Sequence, residues 1–279
     1  MKTVCFVHND LDGKCAGAIV KYYNPEAYVI EVSYNRPIPM SKVEDEVIIC
    51  DFTPSKEDFD ELLKRTSGNV TWIDHHQSSI EKFPEYTELK GIRKDTIPSG
   101  AMLTWQYYFP QQKPPEFVEL VSDYDTWTHK YGSRTWYFVS GARMYKTSSN
   151  SQFWIDLIEK EEELKKVLEK GNVVYEYENN ENAAYVRQYS FRIKFEGYDT
   201  IVCNAARKNS TLFDSLEPDF DIMMIFCVMG DKVRYSLYTS KDIDVSQIAL
   251  KYGGGGHRKA SGFITSYDEL VNIIGKDRK

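Results

Sequence analysis

Short apolar runs alternate with amphipathic stretches through the first third of the chain. Thr3-Val-Cys-Phe-Val7, Tyr28 to Val32, Glu46-Val-Ile-Ile-Cys50 and Asn69-Val-Thr-Trp-Ile73 read as buried strands. Between them, Gly13 to Tyr23 reads as a helix. Asp12 can cap it, and Cys15, Ala16, Gly17 and Ala18 are small enough for close packing on a sheet. Thr53-Pro-Ser55 opens a further helix, with Ser55 and Asp58 at capping-box spacing and Phe59, Leu62 and Leu63 on one face. This alternation predicts an α/β fold with a mostly parallel, doubly wound sheet.

The pattern then turns helical. Pro98-Ser99-Gly100 precedes an apolar helix reaching Phe109, with Ser99 as its N-cap. Glu116 to Tyr124 forms a helix that delivers Asp125. Phe153 to Lys170 carries an apolar stripe of Leu157, Ile158, Leu164, Val167 and Leu168, and Gly171 is placed to end it. Val173 to Tyr189 continues as a separate helix. Strands return in the last third, at Phe191 to Phe195, Thr200 to Asn204, Ile222 to Met229 and Val233 to Thr239. Gly230-Asp-Lys makes a tight turn between the last two. Val245 to Tyr252 is a helix closed by four glycines, Gly262 to Ile264 a strand, and Tyr267 to Ile274 a closing helix. The predicted organisation is a catalytic domain at 1–150, a helical connector at 151–189, and a smaller α/β domain with a mixed sheet at 190–279.

Composition narrows the function. The chain has 279 residues, 42% hydrophobic and 28% charged, enough to bury a sizeable core. A net charge of −7 argues against broad binding to duplex nucleic acid, which needs many Lys and Arg contacts to phosphate. Five scattered cysteines form no C-x-x-C and read as reduced core residues, pointing to a cytoplasmic location. The first apolar run is too short for a signal peptide, and the run from Ile222 to Met229 is too short to span a bilayer.

The chemistry gathers where strands end. The first strand runs into His8-Asn-Asp10-Leu-Asp12-Gly13, the third into Asp51, and the fourth into Asp74-His75-His76. Ligands bind at the carboxyl ends of strands in open α/β sheets, so these three ends should converge. Four carboxylates and three imidazoles, with no adjacent Arg in the motifs, cannot all keep their charges without a cation. Carboxylate and imidazole donors suit manganese, zinc or iron better than calcium. So many acids point to two ions sharing a carboxylate.

These residues, with Asp125 in Asp123-Tyr-Asp125-Thr-Trp127, resemble the four motifs of the DHH phosphoesterases. Gly253-Gly-Gly-Gly256-His257-Arg-Lys-Ala-Ser-Gly262 resembles the glycine-rich motif of their C-terminal DHH-associated domain. The likeness covers nearly the whole chain and is greatest to the NrnB type of oligoribonuclease. H-x-D-x-D is tighter than the opening of many members and resembles the exonuclease branch. The resemblance implies two metal ions, Mn2+ with Mg2+ or Co2+ as substitutes. His8, Asp10 and Asp51 would hold one; Asp12, Asp51, His75 and Asp125 would hold the other. Asp74 would orient a neighbouring ligand, and His76 would contact substrate phosphate or the leaving oxygen. Asp123 would support a ligand from behind, and Trp127 is read as core rather than as a stacking platform. Gly254, Gly255, Gly256, His257 and Arg258 would bind substrate, through backbone N–H groups and charge-assisted donors. Many relatives carry Arg where Tyr238 stands. Tyr238 can stack on a base or simply pack, and Arg234 and Lys241 can supply the charge.

The expected activity is metal-dependent hydrolysis of very short single-stranded RNA, dinucleotide to about pentanucleotide, to mononucleotides. The rivals are a phosphatase or phosphodiesterase for linear or cyclic dinucleotides or 3′,5′-bisphosphonucleosides, and a non-catalytic nucleotide-binding module. No membrane or extended duplex is expected as a partner, and a homodimer is compatible with the sequence.

Overall fold

The computed structural model describes residues 2–34, 36–94 and 97–275. The chain divides into two compact units, residues 1–175 and 176–279.

The first unit opens with β1 (Thr3–His8), α1 (Leu11–Tyr23), β2 (Tyr28–Val32), β3 (Glu46–Cys50), α2 (Lys56–Arg65) and β4 (Val70–Ile73). The four strands form one parallel sheet in the order β2-β1-β3-β4. Alternate side chains of a strand face opposite ways, and the core follows that rule. Cys5, Val7, Ile48 and Cys50 join one buried cluster with residues of α1. Val4, Phe6, Val47 and Ile49 join another with Phe59 and Leu62 of α2. Burial on both faces explains why these strands read as continuous apolar runs.

Helices follow: α3 (Gln77–Lys82), α4 (Gly100–Tyr108), α5 (Glu116–Asp125), α6 (Ser133–Ala142), α7 (Gln152–Glu159) and α8 (Glu161–Tyr189). Gly171 does not end a helix, contrary to the expectation from sequence. It lies inside the 29-residue α8, where a Cβ would stand 1.6 Å from the Tyr137 carbonyl oxygen. Gly141 on α6 is the counterpart: its Cβ would stand 2.1 Å from the Val167 oxygen. Both glycines serve a close helix crossing. The division between the two units falls within α8.

The second unit holds β5 (Ser190–Phe195), β6 (Tyr198–Asn204), β7 (Ile222–Met229), β8 (Lys232–Tyr238), α9 (Val245–Lys251), β9 (Gly255–His257), β10 (Ala260–Ser266) and α10 (Leu270–Ile274). Its six-stranded sheet runs β5-β6-β7-β8-β10-β9. It is mixed: β6 and β7 are parallel and the other neighbours antiparallel. The fold class is therefore the predicted one, a parallel α/β sheet followed by a smaller mixed one. No helix among the described residues is long and apolar enough to cross a membrane. Four of the five cysteines are buried; Cys227 is only half-buried, near the end of β7 where burial falls off.

Candidate metal centre

Register makes the site. Val7 pairs with Cys50, and Cys50 with Ile73. The next residue on each strand therefore emerges at the same level: His8, Asp51 and Asp74. Asp51 sits there in the left-handed region, with φ of 53°. Such a backbone is costly for a residue other than Gly, Asn or Asp.

The carboxylates lie close together. Three groups offer donor atoms within 4.8 Å of one another: His8, Asp10 and Asp51; Asp51, His75 and His76; and Asp12, His75 and Asp125. Asp51 and His75 each belong to two of them. His75 Nε2 stands 3.2 Å from Asp51 Oδ1, 3.3 Å from Asp125 Oδ2 and 4.0 Å from Asp12 Oδ2.

Each member has its own support. Asp10, not Asp12, caps α1: its Oδ1 accepts from Gly13 N at 2.9 Å, and its Oδ2 lies 2.5 Å from His8 Nδ1. The helix starts two residues earlier than its apolar pattern suggests, which places Asp12 in the first turn, fully buried. Ser99 caps nothing with its side chain. Its hydroxyl donates to Asp12 Oδ1 at 2.6 Å, and Ala101 N adds bonds of 3.1 and 3.2 Å to the two Asp12 oxygens. The start of α4 is thus a cradle for one carboxylate. Asp74 is completely buried. Its Oδ1 accepts from His75 N (2.8 Å), from His76 N (3.2 Å) and, at 2.7 Å, faces His76 Nδ1. Its Oδ2 accepts from Thr53 Oγ1 and from Trp72 Nε1 at 3.3 Å.

Asp51 is the exception. Only 1% of its surface is exposed, and its Oδ2 has no hydrogen-bond partner. Burial, followed by the charges of Asp12 and Asp10, pushes its carboxyl well above the ordinary range. Burial also raises Asp12. An orphaned buried oxygen amid carboxylates and imidazoles is the donor set of a divalent metal centre, and the residues present fit one.

Sequence reasoning missed Gly100, Thr53 and Trp72 as parts of this site. A Cβ on Gly100 would stand 2.5 Å from Asp51 Cβ and 3.0 Å from Asp12 Oδ2, so only glycine fits. Ser-Gly before an apolar helix was the visible signal, but it also describes an ordinary helix start. Two other expectations change. Asp123 holds no member of the cluster; it binds the loop that follows α5. Trp127 is not core, with 47% of its surface exposed, because the chain turns outward after Asp125.

In the second unit, the four glycines do more packing than expected of a phosphate nest. Gly253 N and Gly254 N close α9 by bonding to Leu250 O and Ala249 O, and Gly255–His257 pairs with Ala260–Gly262. Gly254 and Gly256 press on β10: a Cβ would stand 2.1 Å from Gly262 O and 2.6 Å from Ser261 Cα respectively. The glycines still line a cavity of about 590 Å3, with Arg234 and Tyr238 on its wall. Arg258 is exposed and pairs with Asp242 at 2.7 Å. Lys241 is engaged by Asp221 at 2.8 Å. The side chain of His257 lies outside the described residues.

No protein-family profile matches the chain. It is 26% identical to the oligoribonuclease NrnB of Bacillus subtilis, covering 96% of this chain and 74% of that protein. It is 28% identical to an uncharacterized protein of Acanthamoeba polyphaga mimivirus, over 79% of this chain; the chain spans about half (53%) of that relative's length. Two solved structures share the fold. One is a DHH domain from a protein described with a family of ribosomal proteins, with a TM-score of 0.66, 13% identity, and 98% of this chain and 85% of that one covered. The other is PggH, a pGpG-specific phosphodiesterase of Vibrio cholerae, with a TM-score of 0.60, 14% identity, and 98% and 96% covered.

Proposed function

Because this chain carries the DHH phosphoesterase motifs in family order on the DHH fold, we propose that it is a metal-dependent phosphodiesterase acting on very short RNA, dinucleotide to about pentanucleotide. The observation that carries the reading is Asp51: a buried carboxylate with one orphaned oxygen, shared between two groups of donors.

His8, Asp10 and Asp51 would hold one ion, and Asp12, Asp51, His75 and Asp125 the second. Mn2+ suits these donors, as do Mg2+ and Co2+. When bound, such a pair supplies a nucleophile at neutral pH and neutralises charge developing on phosphorus. Asp74 acts by fixing His76: with Nδ1 held, the imidazole presents Nε2. Burial disfavours the charged ring, but the hydrogen bond and charge of Asp74 outweigh it and raise the pKa of His76. A proton carried on Nε2 could then be delivered to the leaving oxygen.

We assign catalysis to 1–150, a connecting role to 151–189, and substrate binding to 190–279, where Gly254, Gly255, Gly256, His257 and Arg258 would meet a terminal nucleotide. The acidic balance of the chain favours a short substrate over a long strand.

The test is hydrolysis by purified protein with and without Mn2+. A dinucleotide, a cyclic dinucleotide and a 3′,5′-bisphosphonucleoside are compared. Fastest metal-dependent turnover of the linear dinucleotide is expected. Preference for either rival substrate would reassign the specificity, and no metal-dependent turnover of any of them would overturn the enzyme reading.

A further inference from the structure

Beyond Asp125 the backbone does something unusual. Trp127 and His129 both occupy the left-handed region, with φ of 55° and 53°. Bulky side chains avoid that region, and where they occupy it the surroundings must enforce it. Here Asp123 does so. Its carboxylate is buried, and it accepts hydrogen bonds from Thr128 Oγ1 (2.5 Å), Lys130 N (2.6 Å), Tyr131 N (3.3 Å) and Thr135 Oγ1. One side chain thereby fixes the course of the loop from 126 to 135.

The loop presents an aromatic surface. Trp127 meets His129 edge-on at 4.8 Å and 84°, and Trp136 at 5.5 Å and 85°; Tyr124 lies 5.9 Å away. These rings steady the indole without covering it. Trp127 is 47% exposed, whereas Trp72, Trp105 and Trp154 are buried. Its Cα lies two peptide steps from that of Asp125, within about 7 Å. Burying the ring would have been the cheaper arrangement.

We propose that Trp127 is a nucleobase platform: it stacks on the base of the nucleotide whose phosphate lies at the Asp51 cluster, and it makes purine nucleotides the preferred occupants. The proposal rests on the phosphodiesterase reading for the phosphate alone. Stacking is open to every base and strengthens with ring size, so one exposed aromatic ring two residues beyond Asp125 is sufficient for such a preference.

The test has two arms on the full chain. In the first, adenosine monophosphate and ribose 5-phosphate are titrated with Mg2+ present, and tryptophan fluorescence is followed. Adenosine monophosphate should quench the wild type. Trp127→Phe should lose most of that quench while still binding, Trp136→Phe should keep it, and Trp127→Ala should bind about tenfold more weakly. In the second, kcat/KM is measured for an adenine dinucleotide and for its abasic analogue; their ratio should fall about tenfold in Trp127→Ala. An unchanged ratio, or a quench that survives Trp127→Phe, overturns the platform. Equal losses on both substrates also overturn it, by assigning Trp127 to the support of Asp125. If the wild type hydrolyses neither substrate but the binding arm behaves as stated, the platform stands and the phosphodiesterase reading falls.

Discussion

Gly100 and Asp51 are in contact through a gap that admits hydrogen but not carbon: a methyl group on Gly100 would stand 2.5 Å from Asp51 Cβ. Asp51 is already held in a left-handed backbone and cannot retreat without leaving its strand end. Gly100→Ala should therefore displace Asp51 and, through Asp12 Oδ2, the second carboxylate beside it. Metal content should fall and hydrolysis drop by about 100-fold, with the chain still folded. Full metal content in this variant would show that the site tolerates the shift.

Asp51→Asn separates the cost of the carboxylate from its use. Burial, then the charges of Asp12 and Asp10, raise the Asp51 pKa well above normal. A group whose folded pKa exceeds its unfolded one stabilises fully below the unfolded pKa, and that contribution is lost as pH rises through the folded pKa. Asp10 and Asp74 are shifted down and act in the opposite sense, so the wild type shows a mixture. Comparing variant with wild type reads the Asp51 charge together with its repulsion of the neighbouring carboxylates. With a chelator present, Asp51→Asn should have the higher Tm, by a margin that grows as pH rises above the ordinary carboxylate range and reaches at least about 2 °C. Added Mn2+ should reverse the order, and hydrolysis should fall by about 100-fold or more. Equal Tm values at all pH would mean the carboxylate is not strained.

The two histidines of the motif should part company. His75 Nε2 faces three carboxylates, whereas His76 Nδ1 is engaged by Asp74. His75→Ala should come out metal-depleted. His76→Ala should retain metal and lose about 100-fold in rate. Metal analysis of the purified variants decides it, and depletion in His76→Ala alone would reverse the assignment.

Arg258→Ala tests the second unit. The guanidinium is exposed and held by Asp242, and the proposed scheme gives it a terminal nucleotide rather than the reacting phosphorus. KM for a dinucleotide should rise more than kcat falls, and the preference for short substrates should flatten. A simple ester lacking the distal nucleotide should be less affected than a dinucleotide. Equal losses on both would place Arg258 in the chemistry.

Gly171→Ala probes the helix crossing rather than the site. The new methyl group would collide with the Tyr137 carbonyl oxygen. Stability should drop by about 1–3 kcal/mol, read by denaturant unfolding, while the folded fraction keeps its metal content. An unaltered midpoint would mean that α6 and α8 separate at little cost.

The sequence by itself determined the parallel sheet and its polar strand ends. A short apolar run between helical stretches reads as a buried strand, and an Asp or His following it emerges at the carboxyl end of the sheet. That is why the sequence alone places His8, Asp51 and Asp74 together. Gly171 shows where local pattern stops being enough. Glycine ends helices often, yet here a neighbouring helix passes too close for any other residue, and that neighbour is remote in sequence. Ser99, Gly100 and Ala101 looked like an ordinary helix start; only packing turned them towards Asp12 and Asp51, which lie far earlier in the chain. Trp127 looked like core because large apolar side chains usually are. Its exposure follows from the loop that Asp123 ties down, and that depends on four partners no periodicity reports. Strand identity is written in nearest neighbours along the chain, whereas close approach and exposure depend on residues the fold brings from elsewhere.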